Sequence, residues 1–341
     1  MTRTSNFLTF MTVVVWLFPI NSSANENVVN VYSFRQAELI TPLIDEFTKK
    51  TAIKVNLVSG KADKLMQRLI DDGNNSFADV LLTVDVARLE KAKQLSLIKP
   101  INSTLLHDNI PEDLRDDENF WFGLSVRVRG IFYAKDRVTP DLIPTYESLL
   151  NNRWQGKICS RKGSHMYNLS MLASFIYRYG TSWRENWVKN FSNNLAMRPN
   201  GGDRDQLRKI ARGECDVAIA NSYYYGMLSA SVSQSDREVY QKIGIVLPNS
   251  NEIGSHINIS GAALTSASKN KINAIKFIEF LTTNKAQEIY ANNNYEYPIH
   301  PNMEASKLLK SWGKLTADTG SIRQLTKYHP QAREMVKRYS W

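Results

Sequence analysis

The sequence has few cysteines and little apolar sequence that could cross a membrane. Two cysteines in 341 residues exclude a cysteine-rich scaffold. Apart from one uncharged run near the N-terminus, no stretch approaches the roughly 20 apolar residues of a membrane-spanning helix. Glycine and proline, at 16 and 11 residues, are too sparse for a fibrous or low-complexity chain. The composition, 43% hydrophobic and 22% charged, predicts an ordinary globular protein.

The sequence also lacks the short motifs of common enzyme classes. It has no Gly-x-Ser-x-Gly elbow, no phosphate-binding glycine-rich loop and no His-Glu-x-x-His pair. The five histidines do not have the spacing of metal ligands. We therefore expect a protein that is not an enzyme.

The N-terminal segment predicts export. Arg3 precedes an uncharged, apolar run at 7–20, and small residues follow up to Ala24. This order is typical of a secretory signal peptide. We expect residues 1–24 to be removed after Ala24, which leaves an exported chain without a membrane anchor.

The remaining chain is long and basic. After removal of 24 residues from 341, it exceeds the roughly 250 to 300 residues at which one hydrophobic core usually divides into two domains. The formal net charge is +10, which we attribute mainly to solvated lysines. A basic cleft that attracts anions is the alternative. Nucleic-acid binding is not expected, because no motif for it accompanies the charge.

Short β-rich runs alternate with helical patterns. Residues 28–32 and 53–58 read as strands, and between them Leu39, Leu43 and Phe47 recur at helical spacing, which predicts a βαβ unit. The pattern continues along the chain and predicts an α/β fold with helices covering the sheets.

Two runs, 124–133 and 256–265, are long enough to pass between domains as crossing strands. Two such crossings would form a hinge between two lobes that close on a ligand. The expected boundaries are 25–125 with 252–302 for the N-terminal lobe, and 126–251 with 303–341 for the C-terminal lobe.

The two cysteines are Cys159 and Cys215. In an exported protein an even number of cysteines favours a disulfide. Two buried free thiols are the alternative, and a cysteine metal site is not expected without a Cys-x-x-Cys pair.

Three consecutive tyrosines, Tyr223, Tyr224 and Tyr225, follow a strand-like run at 215–220. Neighbouring side chains on a strand point to opposite faces, so at least one phenol faces a cleft or water. Phenolate is a hard oxygen donor of the kind that Fe(III) prefers. An aromatic patch that covers the core or grips an organic ligand is the alternative.

Several segments resemble the bacterial periplasmic ferric iron-binding proteins that supply ABC transporters. The similar segments are VNVYS at 29–33, SGKAD at 59–63, ADVLLTVD at 78–85, WFGL at 121–124, NGGDRDQ at 200–206, ANSYYYG at 220–226 and HINISGA at 256–262. They occur in the family's order and cover nearly the whole exported chain. The resemblance implies a two-lobed periplasmic-binding-protein fold of type II, and a monomer that binds ferric iron in the periplasm and delivers it to an inner-membrane ABC permease.

The resemblance also implies the ligands. The family motif makes Tyr223 and Tyr224 iron ligands, Tyr225 a neighbour of the ligands or a packing residue, and Tyr167 a third ligand. Binding must expel the phenol protons, since the pKa of a free phenol is about 10. His165, which lies close to Tyr167 in sequence, is interpreted as a residue of the helix start.

In some family members a synergistic anion such as carbonate completes the coordination, and the arginine that holds it matches Arg127. A guanidinium fork suits a bidentate oxyanion. The alternative for Arg127 is an ion pair with a carboxylate across the hinge. Arg35 and Lys61 could add positive potential. We expect Lys61 at the surface, and Arg35 either at the surface or, like Gln36, close to the metal ligands.

The chain departs from the family after the first strand. Relatives often carry a histidine and a tyrosine there, whereas this chain has Gln36 and Ala37. Neither supplies those donors, although Gln36 could contact a water or the anion. We therefore expect the C-terminal lobe to carry the metal site.

The rival function is binding of an organic or phosphorylated cargo, such as a polyamine, thiamine or a phosphonate, by the same architecture. The tyrosines would then stack on the ligand. Chelated iron, including iron citrate, is a further alternative for the cargo.

Overall fold

The computed structural model describes residues 27–341; the predicted signal peptide, 1–24, lies outside the described residues. The strands are β1 Val28–Ser33, β2 Lys54–Ser59, β3 Val80–Thr83, β4 Ile98–Lys99, β5 Phe122–Ala134, β6 Ile158–Cys159, β7 Val217–Asn221, β8 Ile243–Val246, β9 Ile257–Thr265 and β10 Tyr297–Pro298. The helices are α1 Ala37–Thr51, α2 Ala62–Asp72, α3 Val86–Gln94, α4 Thr104–Asn109, α5 Met166–Asn193, α6 Asp203–Ala211, α7 Tyr223–Ser229, α8 Gln234–Lys242, α9 Lys271–Leu281, α10 Asn284–Asn293, α11 Lys307–Lys310 and α12 Leu325–Arg338.

The first sheet has the order β2-β1-β3-β9-β5, with β4 paired to β9 and β10 to β5. Strands β2, β1 and β3 are parallel, and β9 runs antiparallel to β3 and β5. The predicted βαβ unit is β1-α1-β2. Helix α1 buries Ile40, Leu43 and Phe47 against this sheet, and the Phe47 ring lies 4.9 Å from that of Phe277 on α9.

Strand β5 joins the two sheets. Its first part pairs with β9 as far as Val128, and its second part, from Arg129, pairs with β7. Strand β8 pairs with β5, and β6 lies parallel to β7. The run predicted to cross between lobes at 124–133 therefore lies inside one continuous strand shared by both sheets.

The return connection differs in detail from the expectation. Strand β9 pairs only with strands of the first sheet, so the chain returns through residues 247–256, before the strand begins. The carbonyl of His256 accepts from the Arg129 N–H at 3.0 Å, which holds this connection against β5. Alternation of apolar residues predicted the strand, but it carries no information on which strands pair with it.

Helices α5 and α12 pack along each other and share a hydrophobic core with β5 and β7 of the second sheet. Helix α5 has a kink at Gly180, whose φ of 77° lies in the left-handed region that glycine adopts without steric penalty. The rings of Trp187 and Phe191 stack at 4.7 Å, and Trp341 packs on Phe191. Within residues 27–341, no helix is both long and apolar enough to span a membrane.

The predicted disulfide is confirmed. Cys159 ends β6 and Cys215 lies just before β7, and their Cα atoms are 5.7 Å apart. Both side chains are buried. The bond therefore ties together two strands that are adjacent in the second sheet but 56 positions apart in sequence.

Replacement of both cysteines by alanine should lower the free energy of unfolding by about 4 kcal/mol, because the crosslink restricts the unfolded chain. Urea unfolding followed by circular dichroism measures the change. A reductant should destabilise the parent and leave the double variant unaffected. Equal urea midpoints for parent and variant would contradict a stabilising role.

Candidate metal site

Three tyrosines line one cavity of about 150 Å³ where elements of both sheets meet. Its walls are Phe34, Arg35, Gln36, Leu39, Val84, Arg127, Tyr167, Arg204, Tyr223, Tyr224, Met227 and Glu296. The structure therefore brings together Tyr167, Tyr223, Tyr224 and Arg127, which the sequence distributes over nearly 100 positions.

The tyrosine triplet begins helix α7 instead of extending the preceding strand. Strand β7 ends at Asn221, and Tyr223 is the first residue of the helix. Adjacent side chains on a helix are separated by about 100°, so Tyr223 and Tyr224 both reach the cavity, with their ring centroids 4.2 Å apart. The alternation expected of a strand does not apply to them.

Tyr225 lies outside the cavity and packs in the core. Its hydroxyl donates to the Ile243 carbonyl at 2.8 Å, and its ring meets Phe132 edge-on at 5.6 Å. Of the two roles expected for Tyr225, the structure shows packing.

Tyr167 reaches the cavity from the first turn of α5. His165 is the N-cap of this helix, and its Nδ1 accepts from the Tyr167 N–H at 3.3 Å, which confirms its expected place at the helix start. Burial, and secondarily the nearby Arg161, lowers the pKa of His165 to about 3. The imidazole is therefore neutral and adds no charge beside Tyr167.

The phenol groups of Tyr167, Tyr223 and Tyr224 lie next to one another. The hydroxyl oxygens of Tyr167 and Tyr223 lie 3.3 Å apart. Burial, followed by the neighbouring phenols of Tyr167 and Tyr224, raises the pKa of Tyr223 well above its ordinary value, although Arg127 opposes the shift. Burial and Tyr167 likewise raise the pKa of Tyr224. Both hydroxyls are thus protonated at neutral pH.

Asp203 forms ion pairs with two of the arginines around Tyr167. This buried carboxylate, at the first residue of α6, accepts from Arg129 at 2.6 Å and from Arg161 at 3.1 Å, and from the backbone N–H of Asn221 at 2.9 Å. Burial alone would raise the pKa of Asp203, but the two guanidinium groups outweigh it and lower the pKa.

Arg127 forms no ion pair with a described residue. Its guanidinium is 5.7 Å from the centroid of the Tyr167 ring, and its Nη2 donates to the Ile259 carbonyl at 3.1 Å. Its Nε is buried without a hydrogen-bond partner in the described chain. The carboxylate partner considered as the alternative role of Arg127 is therefore not found among residues 27–341.

The expectation that Arg35 lies at the surface is wrong. Arg35 is only 5% exposed, because the turn after β1 directs it inward to Glu296, whose two carboxylate oxygens accept from its Nη2 at 2.7 and 2.8 Å. Lys61, in contrast, is exposed as expected.

Two charged residues of the cavity wall, Glu296 and Arg204, were missed from the sequence. Glu296 is buried and accepts from Ser125 and Ser260 as well as from Arg35; the only sequence signal was a single carboxylate within a run of aromatic and apolar residues. Arg204 lies within the quoted NGGDRDQ segment, and its guanidinium is 5.5 Å from the Tyr224 ring centroid.

The N-terminal side of the cavity has no phenol or imidazole among the described lining residues. Gln36 precedes α1, lines the cavity and is exposed. Ala37 begins the helix and is not among the walls. The residues with the donor chemistry for a hard cation are therefore Tyr167, Tyr223 and Tyr224, since the Glu296 carboxylate is bound to Arg35.

Comparison with known proteins identifies the family. The model for the bacterial extracellular solute-binding proteins matches residues 75–316. Iron uptake protein A1 of Synechocystis is 38% identical over 92% of this chain and 87% of its own length. The Trichodesmium IdiA (FutA) protein, solved with iron and citrate ligands, has a TM-score of 0.88 at 41% identity and covers 92% of this chain and 99% of its own.

A ferric binding protein from Campylobacter jejuni has a TM-score of 0.86 at 37% identity, over 91% of this chain and 99% of its own. Similarity of this extent confirms the two-lobed α/β fold predicted from the sequence. This chain belongs to the bacterial extracellular solute-binding proteins, and within that family it is similar to the ferric iron-binding members.

Proposed function

We propose that this protein captures ferric iron in the cleft between its lobes and delivers it to an inner-membrane ABC permease. The main support is one observation. Tyr167, Tyr223 and Tyr224 line one small cavity, beside an arginine, Arg127, that has no carboxylate partner in the described chain. The names of similar proteins, which include iron uptake and ferric iron-binding proteins, support the same cargo. The protein would act in the periplasm as a monomer, without catalysis.

The chemistry follows from the three phenols. The hydroxyl oxygens of Tyr167 and Tyr223, at 3.3 Å, are close enough to contact one metal ion after their protons leave. Three phenolates offset the charge of Fe(III), whereas a divalent ion gains less from them. Hard anionic oxygen donors therefore favour the ferric ion.

Arg127 would hold an oxyanion such as carbonate, which completes the coordination of iron. Its buried Nε has no described partner, and a guanidinium binds a bidentate oxyanion through parallel hydrogen bonds. In this arrangement the metal ligands come from α5 and α7, both on the second sheet. The proposed lobe boundaries remain 25–125 with 252–302, and 126–251 with 303–341.

Tyr223→Phe or Tyr224→Phe should reduce ferric iron affinity by more than about 100-fold, because each removes an oxygen that would contact the metal. Loss of a group that only hydrogen-bonds to a metal ligand already reduces affinity by roughly 10- to 100-fold. A titration with ferric iron, followed by the visible charge-transfer band of iron tyrosinate, measures the change.

Tyr225→Phe is the matched control, since it removes the same atom outside the cavity. It should bind iron like the parent. If Tyr223→Phe and Tyr224→Phe also bound iron like the parent, the ligand assignment would be wrong. Tight binding of an organic compound without a visible band would support the rival function.

Iron affinity should fall steeply in acid. The metal-free phenols carry protons at neutral pH, since burial raises the pKa of Tyr223 and Tyr224, and the loaded site does not. Lower pH therefore favours the metal-free form, by up to about a thousandfold per pH unit if three protons leave. Competition titrations between about pH 6 and about pH 8, at constant carbonate concentration, measure the change in iron affinity. An affinity independent of pH would exclude phenolate ligation.

Arg127→Gln should weaken the dependence of iron binding on bicarbonate, because the guanidinium that receives the anion is lost. The measurement is the band intensity against bicarbonate concentration at fixed iron. An unchanged bicarbonate curve in the folded variant would remove Arg127 from the anion role.

A further inference from the structure

We infer that Arg35 is a second anion-binding residue, so that the oxyanion beside the iron is held by Arg35 from the N-terminal lobe and by Arg127 from the strand between the lobes. This inference rests on the proposed function, since it concerns the anion of the same site. It gives the N-terminal lobe, which contributes no histidine or tyrosine to the described residues of the cavity wall, a contact with the cargo.

Arg35 is held rigidly on one side. Its Nη2 donates to both carboxylate oxygens of Glu296 and to the hydroxyl of Ser260. Its backbone is fixed as well, because its N–H donates to Ser33 and its carbonyl accepts from Ser59. A guanidinium that is fixed before the ligand arrives loses little conformational entropy on binding.

The other side of the guanidinium is free. Nη1 of Arg35 is buried and has no hydrogen-bond partner within residues 27–341, and Arg35 forms part of the cavity wall. A buried N–H without a partner is unfavourable and requires an explanation. Arg127 has a similar unpartnered donor, Nε, on the wall of the same cavity. Two such donors on two guanidinium groups match an anion that has at least two oxygens.

The charge of the cavity defines the class of anion. The charged residues of the wall are Arg35, Arg127, Arg204 and Glu296, which leaves a formal charge of two positive units. Ferric iron with three phenolates adds no net charge. A dianion such as carbonate would neutralise the loaded site, and low-polarity surroundings penalise any uncompensated charge.

The volume of the cavity favours a small anion. A cavity of about 150 Å³ holds several water-sized groups, since one water needs roughly 10 to 15 Å³ on this measure. This space accommodates one metal ion and an anion of the size of carbonate. We therefore assign the two arginines to a small oxyanion, and a larger carboxylate chelate would require a more open cleft.

The rival role of Arg35 is purely structural, as the partner of Glu296. Removal of one member of a buried ion pair destabilises a protein strongly, so Arg35→Ala would not distinguish the two roles. Arg35→Lys retains a cation for Glu296 but removes the second planar arm. A double replacement, Arg35→Gln with Glu296→Gln, removes both charges and leaves no buried charge unpaired.

The experiment is a bicarbonate titration of the iron-tyrosinate band at fixed ferric iron, for the parent, Arg35→Lys and the double variant. In both variants the bicarbonate concentration at half-saturation should rise by about tenfold or more, the size expected for loss of a hydrogen bond from a charged donor. High bicarbonate should restore the band. Thermal unfolding of each metal-free variant establishes that it is folded.

Arg178→Lys is the matched control, because Arg178 pairs with the buried Asp318 outside the cavity. Its half-saturating bicarbonate should equal that of the parent. Unchanged half-saturation in the folded Arg35 variants would overturn the inference, and so would a band weakened equally at every bicarbonate concentration, which indicates a structural role. Absence of the band in the parent would instead refute the proposed function.

Discussion

The site depends on holding three phenols, one buried and two partly buried, beside an arginine that has no carboxylate partner in the described chain. Burial raises the pKa of Tyr223 and Tyr224, so the empty cavity keeps its protons and carries no phenolate charge. Asp203 forms ion pairs with Arg129 and Arg161, while Arg127 remains without an anionic partner in the described chain. In the proposed function, a guanidinium that would bind the anion thus lies next to the phenol protons that a metal ion would displace.

Strand β5 makes this arrangement possible. Arg127 and Arg129 are two positions apart and so share a face of the strand, at the point where β5 leaves the first sheet for the second. Arg129 is bound to Asp203, and Arg127 lines the cavity. Arg129 pairs with the second sheet, as do the elements that carry the phenols, whereas Arg127 lies in the part of β5 that pairs with β9. A change in the angle between the sheets would therefore move Arg127 relative to the phenols on α5 and α7.

The features that could be predicted from the sequence are those that depend on local patterns or on the family motifs. The β1-α1-β2 unit followed from apolar periodicity, and the disulfide of Cys159 with Cys215 followed from an even cysteine count in an exported chain. The buried environment of Arg35 could not be predicted, because its partner Glu296 is 261 positions away. The sequence around each residue contains no pattern that indicates the ion pair. The helical start at Tyr223 was also missed, since three aromatic residues after a strand favour continued strand.

The most direct test of phenolate ligation is a titration of the metal-free protein with ferric iron, followed simultaneously by visible absorption and proton release. Iron tyrosinate gives an orange-red charge-transfer band, which should saturate at one equivalent while about three protons leave the phenols per iron bound, and about one more leaves where bicarbonate binds as carbonate. Iron binding without the band, or without proton release, would contradict the central claim that Tyr167, Tyr223 and Tyr224 hold the cargo.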